Sequence, residues 1–328
     1  MELGIPFYPL VPFYPLARMK NQLSRLLLVV AVAALMWLHG EAQVINSIGE
    51  ENMKVERGLK PQEKKAETPY IVDIDTETPY FQYIDSAQTY IYSHDWPIAE
   101  QWLLKAFMAD PENPSNSMVL SNIATLQRYQ GKLTEAVKNY SLALDMTPHA
   151  VTLLLNRAAL YVELDSIERA VDDYERVCEL DMYDTESRYS LGVIAMERGD
   201  TKRAEDLFNE IRRINPNSGL YHEGMGLLYK RNGNYSRAAE LFSQVIKVQP
   251  SAQLLAHRAD CYLATKRLND AEEDIRTALG IAPDDPYLYV LRAKLNKLRF
   301  QRDDMNRDID TAISLGLSRD YINSTLNE

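Results

Sequence analysis

The chain has only two cysteines, Cys178 and Cys261, and five histidines scattered over 328 residues. It has no CxxC, no HExxH and no other dense metal-ligand spacing, so neither a metal site nor a disulfide framework is expected. GxGxxG, P-loop and GxSxG patterns are missing as well, which removes the usual sequence marks of dinucleotide, nucleotide and acyl-transfer chemistry. Basic residues are outnumbered, 36 Lys and Arg against 47 Asp and Glu, for a net charge of −11. That balance discourages nucleic-acid binding, which depends on neutralising phosphates. The expectation is a protein with no catalytic residues, cofactor or metal. His222 beside Glu223 does not alter it, because adjacent helix residues point in different directions.

What the chain does have is a clock. From Tyr80 onward a pattern of about 34 residues returns about seven times: Ala near offset 8, Ala at 20, an aromatic or Leu at 24, a small or branched apolar residue at 27, and often Pro at 32. The units run 80–113, 117–150, 151–184, 185–218, 219–251, 252–285 and 286–319. Positions 111, 148, 182, 216, 250 and 283 occupy offset 32, at spacings of 37, 34, 34, 34 and 33. Unit three carries Met182 where Pro would stand, and unit seven is worn, with Met305 in place of the small residue. A period in this range marks stacked helix pairs that bury their apolar faces against neighbours. Small residues such as Ala204 and Ala238 let the two helices approach closely, while Glu240 is expected to point outward. Gly131, Gly199 and Gly233 at offset 15 fit left-handed helix ends. The acidic string Asp172-Asp173 and the pair Glu272-Glu273 are expected on outward, solvated faces.

This pattern resembles the tetratricopeptide repeat family over residues 80 to about 319, although the family's Trp at offset 4 is absent from every unit. The resemblance implies an all-α fold, a right-handed superhelical solenoid of about seven antiparallel helix pairs. Residues 320–328 would serve as a C-terminal cap or tail. It also implies a protein–protein interaction scaffold whose first helices line a concave groove through offsets 2, 5, 9, 12 and 13. Transferred to this chain, those offsets give Tyr189, Val193, Met196, Leu220, Glu223, Leu227, Lys230, Tyr287 and Lys294 as the groove, an apolar strip with charged borders and a basic last unit. The alternative is that Tyr189, Val193 and Leu227 merely pack against neighbouring first helices. An extended peptide or an amphipathic helix would suit such a groove. The Lys and Asn clamp by which some relatives hold acidic chaperone tails is absent: Ile84, Gln88, Ser121, Thr125, Thr152 and Ala159 fill most of its offsets. An enzyme or carbohydrate-handling protein on the same scaffold is the remaining reading.

Upstream of the repeats, Lys20 and Arg25 precede thirteen uncharged, mostly apolar residues, Leu26 to Leu38, with Gly40 and Ala42 ahead of Gln43. That is the layout of a secretory signal peptide, and thirteen residues fall short of the ~20 that a spanning helix needs. The expectation is an exported protein, periplasmic or secreted, beginning at Gln43. Retention as an inner-membrane anchor, making the chain a tethered assembly factor, is the alternative. Residues 1–18 repeat PFYPL and suit a leader poorly, so translation is expected to begin at Met19. Residues 43–79 read as a charged flexible linker, within which Thr68 to Thr78 alternates apolar and acidic residues as a short extended segment would. Cys178 and Cys261 fall in units too far apart to be bridged. Oligomeric state is not encoded in any of these features.

Overall fold

The computed structural model describes residues 78–327. The expectations for the leader, the linker and residues 68–77 lie outside the described residues. Among the described residues every element is an α-helix: α1 Pro79–Tyr92, α2 Trp96–Ala109, α3 Asn116–Tyr129, α4 Leu133–Met146, α5 Val151–Glu163, α6 Ile167–Leu180, α7 Glu186–Glu197, α8 Thr201–Ile214, α9 Gly219–Arg231, α10 Tyr235–Val248, α11 Ala252–Ala264, α12 Leu268–Ile281, α13 Pro286–Leu298, α14 Arg302–Ser314 and α15 Arg319–Asn327. They fall into two compact units, 78–194 and 195–327, divided within α7. No described helix is long and apolar enough to cross a membrane.

The second helix of a pair shows how the sequence makes the element. In α8, Ala204, Phe208 and Ile211 recur at i, i+4 and i+7 and are buried, while Lys202, Arg203, Glu205 and Asp206 remain exposed. Burying Phe208 contributes roughly 1.5–3 kcal/mol. Asp200 caps the helix by accepting from the Arg203 amide at 3.0 Å, and Asn234 does the same for the Arg237 amide at 3.3 Å in α10. Pro216 and Pro250, two residues past the ends of α8 and α10, cannot extend a helix. Ala204 and Ala238 are fully buried, and Glu240 is exposed beside Arg237 at 2.5 Å.

The turn inside each pair is left-handed at offset 15 in all seven units. Gly131, Gly199 and Gly233 have φ of 74°, 81° and 78°. His94, Asp165, Lys266 and Phe300 adopt 56–60° at the same offset without glycine's freedom.

A second periodic feature was hidden in the charges. Arg157 grips Asp173 through Nε and Nη2 at 2.8 and 2.7 Å. Arg258 grips Asp274 at 2.8 and 2.6 Å, and Arg292 grips Asp308 at 3.0 and 2.6 Å. Each pair joins offset 7 of a first helix to offset 23 of its second helix, sixteen residues on. The guanidinium also reaches the preceding pair, donating to Ser141 Oγ from Arg157 at 3.0 Å and to Ser243 Oγ from Arg258 at 2.9 Å. Asp173 is therefore buried, not solvated as expected, because two parallel N–H bonds replace its water. Asp172, Glu272 and Glu273 are exposed. In unit five the same offsets hold Met225 and Leu241, both buried, so an apolar pair replaces the ionic one.

At the C-terminal end α15 covers the last pair. Ile322 and Leu326 bury against Val290, Ala293, Ile309 and Ala312, with Met305 packed beside them. A terminal face of stacked helix pairs needs such a cover.

Candidate functional site

The first helices α9, α11 and α13 of the C-terminal unit bring the candidate residues to one face. Lys230, in the last turn of α9, places Nζ 2.7 Å from Asp260 Oδ2 on α11. Lys294 on α13 reaches Oδ1 of the same carboxylate at 3.3 Å. Two ammonium groups thus share one carboxylate across three successive first helices. Burial pushes the Asp260 carboxyl up, but the two lysines override it and hold it at about 2. Lys230 is raised in turn: burial opposes its charge, and Asp260 more than compensates. Arg231 and Glu197 pair beside it at 3.3 Å.

The apolar members lie on the same helices and on α7. Leu220 and Leu227 are half-buried, and Leu227 and Tyr287 rest on the cluster built from Phe242, Leu255, Tyr262 and Leu288. Glu223 is half-buried and Met196 buried. On the N-terminal unit's part of α7, Tyr189 and Val193 are also buried, at 1% and 2% exposed. That unit has its own pair across first helices, where Arg128 of α3 donates through Nε to Glu163 of α5 at 2.8 Å.

Several cations of the last unit are engaged within the chain. Lys294 is committed to Asp260. Lys297 donates to the Leu326 carbonyl at 2.6 Å and to Asn327 Oδ1 at 3.3 Å, tying down the end of α15. Arg292 is held by Asp308, and Arg299 by Glu272 at 2.8 Å.

Sequence reasoning passed over His257. It is buried on α11 and stacked on Phe242 at 5.6 Å between ring centroids, with neither ring nitrogen hydrogen-bonded. Burial, and then Lys230, push its pKa down to about 3, so the imidazole is neutral at ordinary pH. The only sequence signal was an ionisable residue at offset 6, between Ala256 and Arg258. His222 is anchored locally, its Nδ1 donating to the Ser218 carbonyl at 2.9 Å. The Cys261 thiol is pushed up to about 12 by burial, far from a reactive thiolate. Among the described residues no group of three or more His, Cys, Asp or Glu is placed to hold a metal ion.

Comparison with known proteins gives the class. Tetratricopeptide repeat family patterns match residues 121–185 and 224–286, and a further one of the same description matches 186–218. A tetratricopeptide repeat protein from Parabacteroides merdae is 30% identical, aligned over 76% of this chain and 98% of its own, with a TM-score of 0.65. Two more distant structures share the fold. The Cut9–Hcn1 hetero-tetramer of the APC/C matches at 13% identity and TM-score 0.60, over 78% of this chain and 57% of the other. PilF of Pseudomonas aeruginosa matches at 17% and 0.52, over 66% and 97%. The chain belongs to the tetratricopeptide repeat family. It is an all-α helical repeat solenoid and a protein–protein interaction scaffold.

Proposed function

We propose that this scaffold is an exported adaptor of the cell envelope that holds a segment of a partner protein, as a peptide or helix, on the first-helix face of its C-terminal unit. The observation that carries the reading is the shared carboxylate of Asp260. By fixing Lys230 and Lys294 it sets a charged border at one end of the helix stripe that carries half-buried Leu220 and Leu227. Apolar anchors inside a polar border are the arrangement that concentrates binding energy in most interfaces. Export rests on Lys20, Arg25, the apolar run to Leu38 and the Gly40–Ala42 site, and the similar protein from Parabacteroides merdae is bacterial. The absence of catalytic motifs favours a binding role over an enzymatic one.

Two measurements test it. Mass-spectrometric sequencing of protein recovered outside the cytoplasm should find Gln43 at the amino terminus; an intact Met1 or Met19 in the membrane pellet would instead support a tethered factor. A photo-cross-linking side chain at Leu227 should capture an envelope protein, whereas the same group at Glu240 should not. Leu220→Ala with Leu227→Ala should weaken that capture by at least about tenfold with the helical signal intact. Equal capture at both positions would refute the face.

A further inference from the structure

The N-terminal unit carries a second unclaimed surface, along the edge where its second helices end. Leu104 and Met108 lie one turn apart on α2, and Leu142 and Met146 one turn apart on α4, so each pair shares a helix face. Met182 and Tyr183 continue the series just after α6. All six are exposed, Met108 at 76%, Met182 at 66% and Tyr183 at 70%. Neighbouring repeats touch at this edge, where Arg176 of α6 meets His149 of the α4–α5 turn at 3.3 Å. The six stand at offsets 25 and 29, 26 and 30, and 32 and 33 of three successive units, so they form a ladder in the sense that all lie toward the ends of successive second helices.

Carboxylates free of ion pairs flank the ladder. Asp110, Glu112, Asp145 and Asp181 border it. Asp110 accepts from the Asn113 amide group at 2.9 Å and Asp181 from the Tyr183 backbone at 2.9 Å, both neutral donors. Among the described residues none of the four carboxylates is in an ion pair. The nearby cations are otherwise engaged: Lys105 lies over the Trp102 ring at 3.8 Å, and Arg176 is held by Glu179 at 2.7 Å. Methionine suits a surface that must adapt to its partner, because its unbranched, polarisable chain repacks at little cost.

We propose that this edge docks an amphipathic helix of a partner protein, one with an apolar stripe flanked by Lys or Arg. Met108, Met146, Met182 and Tyr183 would bury the stripe, and the four carboxylates would meet the flanking cations. Apolar contact supplies affinity and the opposed charges select the partner's sign. This surface is separate from the first-helix face proposed above, so the two readings fail independently.

The test uses the mature chain and a fluorescein-labelled Leu/Lys peptide patterned as an amphipathic helix, followed by anisotropy. A scrambled peptide of equal composition and a Leu/Glu peptide of the same pattern are the comparisons. The patterned Leu/Lys peptide should bind at least about tenfold more tightly than either. The combined Met108→Ser, Met146→Ser and Met182→Ser variant should lose that preference while keeping its circular dichroism and melting temperature. Phe300→Ser, an exposed apolar position at an inner turn of the other unit, should change nothing. Equal binding of the scrambled peptide, or an unaffected triple-Ser variant, would overturn the proposal by reducing the effect to bulk negative charge. A concentration-dependent dimer abolished by the triple substitution would also overturn it, assigning the edge to a second copy. Sedimentation with phosphatidylcholine vesicles that the triple substitution prevents would overturn it in favour of a lipid surface.

Discussion

The Phe242 ring occupies the space a side chain on Gly226 would need: its Cε1 lies 2.7 Å from the position of a Cβ there. Phe208 stands in the same relation to Gly224, at 2.5 Å. First helix α9 is thus notched on two sides by the aromatic residues of α8 and α10. Both rings are fully buried, so neither can swing away.

Gly226→Ala sets two effects against each other. Alanine gains up to ~1 kcal/mol of helix propensity, but the added methyl overpacks a rigid site at a cost of about 1–3 kcal/mol. The steric term wins because Phe242 has no free space to enter. Urea unfolding should show a net loss of stability, and Gly226→Ala combined with Phe242→Leu should recover part of it. A neutral or stabilising Gly226→Ala would mean that α9 and α10 sit farther apart.

The Arg258–Asp274 clamp makes a sharper prediction, since unit five already shows its substitute. Asp274→Ala leaves a largely buried guanidinium without its bidentate partner and should cost about 2–4 kcal/mol. Arg258→Met with Asp274→Leu installs the Met225–Leu241 pair and should restore most of that loss, because an apolar pair of similar volume removes the desolvation cost. A double-mutant cycle in guanidinium chloride measures it. Additive losses would show that the two side chains are not coupled.

The repeat clock made the helix pairs and the glycine turns legible, since small and large apolar residues at fixed offsets specify packing directly. The charge clamps were not legible in the same way. Asp173 stands next to core residue Tyr174, at the margin between the buried and exposed faces of α6, and only Arg157 on another helix draws it inward. Offset alone likewise fails to set exposure in the candidate site: Tyr189 and Val193 on α7 are buried, while Leu220 and Leu227 on α9 are half-buried. Lys230 and Lys294 are visible as charges in sequence, but their common partner Asp260 follows from the stacking of three helices.

Left-handed turns without glycine offer a stabilising change. Phe300 has φ of 60° and is 94% exposed, so its ring contributes no core packing. The Cβ strain of that conformation is on the order of 1–2 kcal/mol, partly offset by the greater entropy glycine loses on folding. Phe300→Gly should raise stability by about 0.5–1 kcal/mol, read as a higher urea midpoint with an unchanged slope. A loss of stability would show that the phenyl ring holds a contact in solution.

Acid sensitivity should trace to His257. The charged groups acting on it are Lys230, which opposes protonation, and Asp260, which favours it. Its folded pKa of about 3 lies below the ordinary imidazole value of 6.5, so the fold binds the proton less well than the unfolded chain does. The sign follows: its contribution is fully present above 6.5 and is lost as pH falls from there toward 3. Within that window the loss approaches ~1.4 kcal/mol per pH unit. Asp260, depressed from 3.8 to about 2, contributes stability that is lost only in the lower range between those values. Urea midpoints at about pH 7, 5.5 and 4.5 should fall more steeply for the natural chain than for His257→Leu, which keeps the volume and has no proton to bind. Parallel curves would show that His257 reaches solvent or a hydrogen-bond partner in solution.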